Sequence, residues 1–115
     1  MELSELQELA EDYEAALLEE YSRKRTLAYA EAELKDVEML ALRTATDAGE
    51  IDGKNAEARK LQAAGVIYDS RLCTTAFVSV GNCQDEADKA SAERARLDAE
   101  IGLTKAWLYS QATIG

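Results

Sequence analysis

Apolar residues recur three and four positions apart along the first half of the chain. They run Leu6, Leu9, Ala10, Tyr13, Ala16 and Leu17, then Leu27, Ala30, Leu34, Val37, Leu40, Ala41, Ala45 and Ala48. That step gathers them on one stripe of an α-helix. No glycine precedes Gly49 and the chain has no proline, so nothing interrupts a helix over about residues 2–48, roughly 72 Å long at ~1.5 Å per residue. Between the two runs, Glu20, Arg23 and Lys24 stand where the stripe should continue. Such a gap reads as a polar layer that fixes register, or as a ligand pocket.

The pattern then breaks at TDAGEIDGKNAEARK. Gly49 and Gly53 bracket a turn over 49–54, and Asn55 is placed to cap a second helix with Glu57 in its first turn. The second helix is expected over about 55–112. Its stripe would hold Leu61, Ala64, Tyr68, Leu72, Ala87, Ala90, Arg94, Leu97, Ile101 and Leu108. Residues 72–80, LCTTAFVSV, have strand propensity. No second strand candidate exists to pair with them, and a lone strand leaves its backbone unsatisfied. They are therefore assigned to the helix, with Gly81 the place for any kink.

So short a connection folds the two helices side by side. The expected fold is all-α, a long antiparallel two-helix hairpin of coiled-coil type forming one domain. A register that sets Val37 opposite Val66, Leu27 opposite Ala76, Tyr13 opposite Ala90 and Leu6 opposite Leu97 lets large residues mostly meet small ones. It also sets the polar gap opposite Ser79–Cys83. Residues beyond Ile101 would then overhang, among them Leu103, Trp107, Leu108 and Ile114. A second apolar face, Leu18, Tyr29, Ala32, Met39 and Leu42, is also left over. Two helices cannot bury both faces, so a homo-oligomer is expected, with Leu103, Trp107, Leu108, Tyr29 and Met39 at its interface.

Composition narrows the chemistry. Of 115 residues 47% are hydrophobic but only 6% aromatic, which suits thin helix-on-helix packing better than a thick core. Thirteen basic residues face 23 acidic ones, for a net charge of −10, so binding to duplex DNA is not expected. No apolar run is long enough to span a membrane, and the amino terminus MELSELQELAEDYE lacks the basic and apolar regions of a signal peptide. A cytoplasmic protein is the expectation. Cys73 and Cys83 would lie ~15 Å apart on one helix, beyond the ~7 Å a disulfide allows; reduced thiols follow.

Histidine is absent, which removes the commonest general base and transition-metal ligand. There is no CxxC unit, phosphate-binding loop or nucleophile elbow. An enzyme is not expected, nor a cofactor or metal. Two charged features remain. The block Glu2, Glu5, Glu8, Glu11, Asp12, Glu14, Glu19 and Glu20 has no basic residue before Arg23. Acids favour a helix start, so this is a solvated face or, alternatively, a nucleic-acid mimic with Glu5, Glu8, Asp12 and Glu19 along one side. The elbow offers Lys54, Asn55, Arg59 and Lys60 near a helix N-terminus, a setting that suits a small anion; the plainer reading is a capped turn. Arg23-Lys24-Arg25 reads as an exposed band of charge.

A Glu/Ala/Leu-rich first helix, the elbow GEIDGKNAEARKLQ and the closing segment ERARLDAEIGLTKAWL together resemble small uncharacterised phage and prophage helical-hairpin proteins. Gly53, Lys54, Asn55, Glu57, Arg59 and Gln62 carry the most specific part of that likeness, while SVGNC departs from it. The resemblance implies a phage setting and no particular activity. In that setting the expected role is a non-enzymatic binding protein acting in counter-defence. It would occupy a host immune protein or sequester an anionic nucleotide signal. The alternative is a structural adaptor in phage recombination or replication.

Overall fold

A computed structural model describes the backbone from Leu3 to Ile114 and side chains through residue 112; Glu2 and the side chain of Ile114 lie outside the described residues. Three helices follow in order: α1, Leu3–Asp47; α2, Ala56–Asp69; and α3, Arg71–Ile114. Among the described residues there is no strand. Residues 72–80 are helical throughout, because α3 satisfies their backbone internally where a lone strand could not. Among the described residues no helix is long and apolar enough to cross a membrane.

The end of α1 is set by Gly49, which adopts φ +77°. That left-handed conformation is open to glycine and lets the Gly49 N–H reach Thr46 O at 3.1 Å and the Glu50 N–H reach Ala45 O at 2.9 Å. Two otherwise orphaned carbonyls are thereby satisfied, as in a Schellman cap. At the start of α2 the Asn55 side chain accepts from the Ala58 N–H at 2.8 Å, the predicted N-cap.

The expected single second helix is divided, and at Ser70 rather than at Gly81. Ser70 takes an extended conformation (φ −76°, ψ 119°), and its N–H closes α2 on Ile67 O. Its hydroxyl accepts from the Cys73 N–H at 3.3 Å, so one serine ends α2 and caps α3. Gly81 lies within unbroken helix. Gly81 and Asn82 are exposed, while their neighbours Val80 and Cys83 hold the packed side, so the glycine weakens no packed position.

The chain forms two compact units: Met1–Arg25 with Asp85–Gly115, and Thr26–Gln84. In the first, Leu6, Leu9, Tyr13, Ala16 and Glu20 of α1 are shielded, spaced three and four apart. On α3 the shielded set is Ala87, Ala90, Arg94, Leu97, Ile101, Thr104 and Leu108, with the same alternation. This heptad step is that of a knobs-into-holes seam. Numbers run oppositely along it: Glu5, Glu8 and Leu9 share a cleft with Leu103 and Thr104, Ala15, Ala16 and Glu19 share one with Glu93 and Leu97, and Glu20 bonds Arg94.

That register corrects the one expected from sequence. Glu20 meets Arg94, not the segment Ser79–Cys83, and beyond Ile101 both Thr104, 5% exposed, and half-buried Leu108 still lie on the seam. Three of the twelve seam residues, Ala16, Ala87 and Ala90, are alanines that fit several registers almost equally well; the Glu20–Arg94 pair chooses among them.

The second unit holds the rest of α1, the connection 48–55, α2 and the first turns of α3. Leu27, Ala30, Leu34, Val37, Ala41 and Ala45 face inward from α1, with Ala63, Val66 and Ile67 from α2 and Cys73, Ala76 and Val80 from α3. Here too the phase differs from expectation. Leu61, Tyr68 and Leu72, assigned to the buried stripe on size, are 72%, 85% and 65% exposed. In α2 the neighbours Ala63, Val66 and Ile67 take the inner side in place of Leu61 and Tyr68, and the break at Ser70 resets the helical phase before Leu72.

Candidate functional site

The elbow gathers three of its six distinctive residues, Gly53, Arg59 and Gln62, with Asp52 into one hydrogen-bonded staple. The Gly53 N–H donates to Gln62 Oε1 at 2.8 Å, and Gln62 Nε2 donates in turn to Asp52 Oδ1 at 2.9 Å. Arg59 Nη1 donates to Gly53 O at 3.1 Å. Gly53 lies so close to the first turn of α2 that an added Cβ would stand 2.8 Å from Ala58 Cβ and 2.9 Å from the Arg59 backbone nitrogen. A side chain there has no room.

Of the expected anion-binding residues Lys54, Asn55, Arg59 and Lys60, Asn55 caps α2 and one N–H of the exposed Arg59 side chain holds the Gly53 carbonyl. Lys54 and Lys60 remain exposed on the surface. The specificity of the elbow sequence is explained by its fold: Gly53, Asn55, Arg59 and Gln62 are the residues that close the turn.

The polar gap of α1 is a packed layer. Glu20 is 8% exposed, with Arg94 Nε 3.3 Å from Oε2 and Lys24 Nζ 3.8 Å from Oε1. A hydrogen bond from Ser91, then the nearby Arg94 and Lys24 charges, hold its carboxyl below the ordinary glutamate range against the opposing effect of burial. Lys24 thus leans on Glu20, and Arg23 pairs with Glu19 at 2.7 Å. The Glu20–Arg94 pair within this layer ties one helix to the other.

Of the acidic block, Glu5, Glu8 and Asp12 share a cleft with Glu100. Glu19 lies in the next cleft with Glu93 and Arg96. Arg96 bridges Glu93 at 2.7 Å and Glu100 at 3.0 Å, and its hydrogen bond lowers the Glu93 pKa. The acids are thus interleaved with arginine on this side. No group of metal-ligating side chains occurs among the described residues. Cys73 and Cys83 are free, Cys73 buried and Cys83 half-buried.

The site that sequence reasoning missed lies where α2 meets α3. A groove of about 700 Å³ is lined by Glu38, Ala64, Ile67, Tyr68, Cys73, Thr74 and Phe77. Tyr68 and Phe77, 85% and 68% exposed, stand at its edges, and Cys73 forms its floor. The signal was present in LCTTAFVSV, whose aromatic and β-branched side chains are unusual for a solvated helix. Of the expected interface residues, Leu103, Tyr29, Met39 and Trp107 are 73%, 63%, 58% and 44% exposed, and Leu108 sits half-buried on the seam.

No protein-family model matches the chain, and neither a curated protein nor a solved structure matches it.

Proposed function

We propose that this protein works by binding and not by catalysis, as a self-associating antiparallel helical hairpin that occupies a partner protein. The observation that carries this reading is the groove beside Tyr68, Cys73 and Phe77. It is apolar, shallow and edged by exposed aromatics, the surface chemistry of protein recognition. Histidine, the commonest general base, is absent from the sequence.

In the phage setting that the sequence suggests, the partner is a host defence protein, met in the bacterial cytoplasm. A protein target is favoured over an anionic nucleotide because the groove is lined mostly by apolar and aromatic side chains. The adaptor role in recombination or replication would use the same groove with a phage partner.

The test is expression in bacteria carrying a defined defence system, scored by plating of a phage which that system restricts. Restored plating that is lost with Tyr68→Ser and Phe77→Ser, both folded by circular dichroism, is the expected result. Unchanged restriction by a soluble, folded protein across a panel of such systems contradicts counter-defence. A thermal shift with cyclic dinucleotides that is abolished by Lys60→Ala would favour nucleotide sequestration instead.

A further inference from the structure

Where the start of α1 packs on the end of α3, a cleft of about 460 Å³ lies wholly within the first unit. Four carboxylates line it, those of Glu5, Glu8, Asp12 and Glu100. Acids suit a helix start, but the benefit fades beyond the first turn. Among the described residues only Glu5 stands in that turn, so the dipole does not account for Glu8 and Asp12. Like charges three and four residues apart on a helix repel one another. Glu5, Glu8 and Asp12 have no ion-pair partner among the described residues. Nearby Arg96 is bonded to Glu93 and Glu100 and reaches Asp12 through its charge alone.

Thr104 is the group that points to a ligand. It is 5% exposed, yet its hydroxyl has no hydrogen-bond partner among the described residues. Thr46 and Thr74 turn their hydroxyls back on the carbonyl four residues earlier, at 2.7 and 3.0 Å; Thr104 does not. Among the described residues no fully enclosed side-chain oxygen or nitrogen lacks a partner. The Thr104 hydroxyl therefore opens into the cleft that it lines. So placed, it can accept a hydrogen bond from a donor that enters among the carboxylates.

We propose that this cleft binds a linear polyamine, an alkyl chain carrying several ammonium groups. An ammonium donates hydrogen bonds and accepts none, which matches a lining of carboxylates and one open hydroxyl. The carboxylates do not converge on a point. No group of side chains able to hold a metal ion occurs among the described residues, and Glu5, Glu8 and Asp12 follow one another at about 4.5 and 6 Å along α1. Charge strung along a chain fits that spacing better than a compact cation, which needs its oxygens gathered around it. Leu9 and Leu103 offer the methylenes between ammonium groups an apolar wall, and Leu103, 73% exposed, has area to lose. Thr104 and Glu100, one turn apart on α3, take one ammonium, and Glu8 and Asp12 the next. The net charge of −10 draws such cations from solution. The site uses none of the residues of the groove in the second unit, so it stands or falls apart from the protein-binding role.

Isothermal titration calorimetry of the full chain with spermidine, at low ionic strength, tests the site. One saturable event that weakens with added salt is expected. Glu8→Gln and Asp12→Asn should each weaken it at least about fivefold. Thr104→Val should weaken it about tenfold without lowering the melting temperature, because the hydroxyl bonds nothing in the chain. Glu31→Gln and Glu33→Gln, which neutralise acids of the second unit, should change affinity by less than about twofold. No saturable binding overturns the site. So does an affinity unchanged by Thr104→Val, or a loss at Glu31 and Glu33 equal to that at Glu8 and Asp12, which would mean diffuse attraction only. Magnesium binding as tightly as spermidine, or a pentalysine peptide binding far more tightly, overturns the polyamine as its ligand.

Discussion

The two units of this chain hold their helices by different means. In the first, Met1–Arg25 with Asp85–Gly115, side chains meeting across the seam choose the register: Glu20 with Arg94, and Leu97 among alanines. In the second, Thr26–Gln84, geometry is imposed by backbone devices. Gly49 ends one helix, Gly53 and Gln62 staple the connection, Asn55 starts the next helix, and Ser70 divides it. Freed from setting register, the second unit leaves Tyr68, Leu72 and Phe77 outside. The first unit also leaves large side chains outside, Leu103 and Trp107 among them, but in the second unit Tyr68 and Phe77 flank an apolar groove, and that is where the proposed binding surface falls.

The contrast can be broken by substitution. The largest effect is expected from Leu97→Ala, which removes the bulkiest buried side chain of the first unit and should cost about 2–4 kcal/mol. Chemical denaturation with an unchanged m-value checks it; a loss below the scatter of surface mutations would mean that the seam is not packed as described. Next comes Gly53→Ala. The new methyl must displace the first turn of α2, at about 1–3 kcal/mol, and hydrogen exchange should rise in 50–62 before it rises elsewhere. Ser70→Ala should cost about 1 kcal/mol by removing a cap. Its signature is faster exchange at Cys73, with the seam residues around Leu97 undisturbed.

The smallest effect is expected from Glu20→Gln, and it should depend on pH. Because the folded state lowers the Glu20 pKa, its ionised form stabilises the fold. That contribution is complete above the ordinary glutamate pKa and is lost as pH falls through the lowered folded value. The gap in melting temperature between wild type and Glu20→Gln should therefore be widest near neutrality and close in acid. A gap constant with pH would show that packing and not charge holds that layer.

Much of this was legible in sequence, for identifiable reasons. The helix stop at Gly49 and the cap at Asn55 depend on residues whose backbone preferences are strong and local. The all-α assignment followed from the absence of breakers and of any strand partner for 72–80. Ser70 was missed because a serine between Asp69 and Arg71 looks like any polar surface position; only its hydrogen bond to Cys73 shows it capping. Register was missed because alanines are interchangeable across a seam, and a buried Glu20 reads as a gap until Arg94 is seen beside it. The groove escaped notice because large residues were assigned inward by size, and at Leu61, Tyr68 and Leu72 smaller neighbours took that side.

The pairing of Glu20 with Arg94 sets the alignment on which the rest depends, and a double-mutant cycle tests it directly. Equilibrium unfolding of Glu20→Gln, Arg94→Gln and the double variant should give a combined loss clearly smaller than the two single losses added together, because each single change already breaks the same bond. Strictly additive losses would mean that the two side chains do not meet, and that the first unit is aligned in some other register.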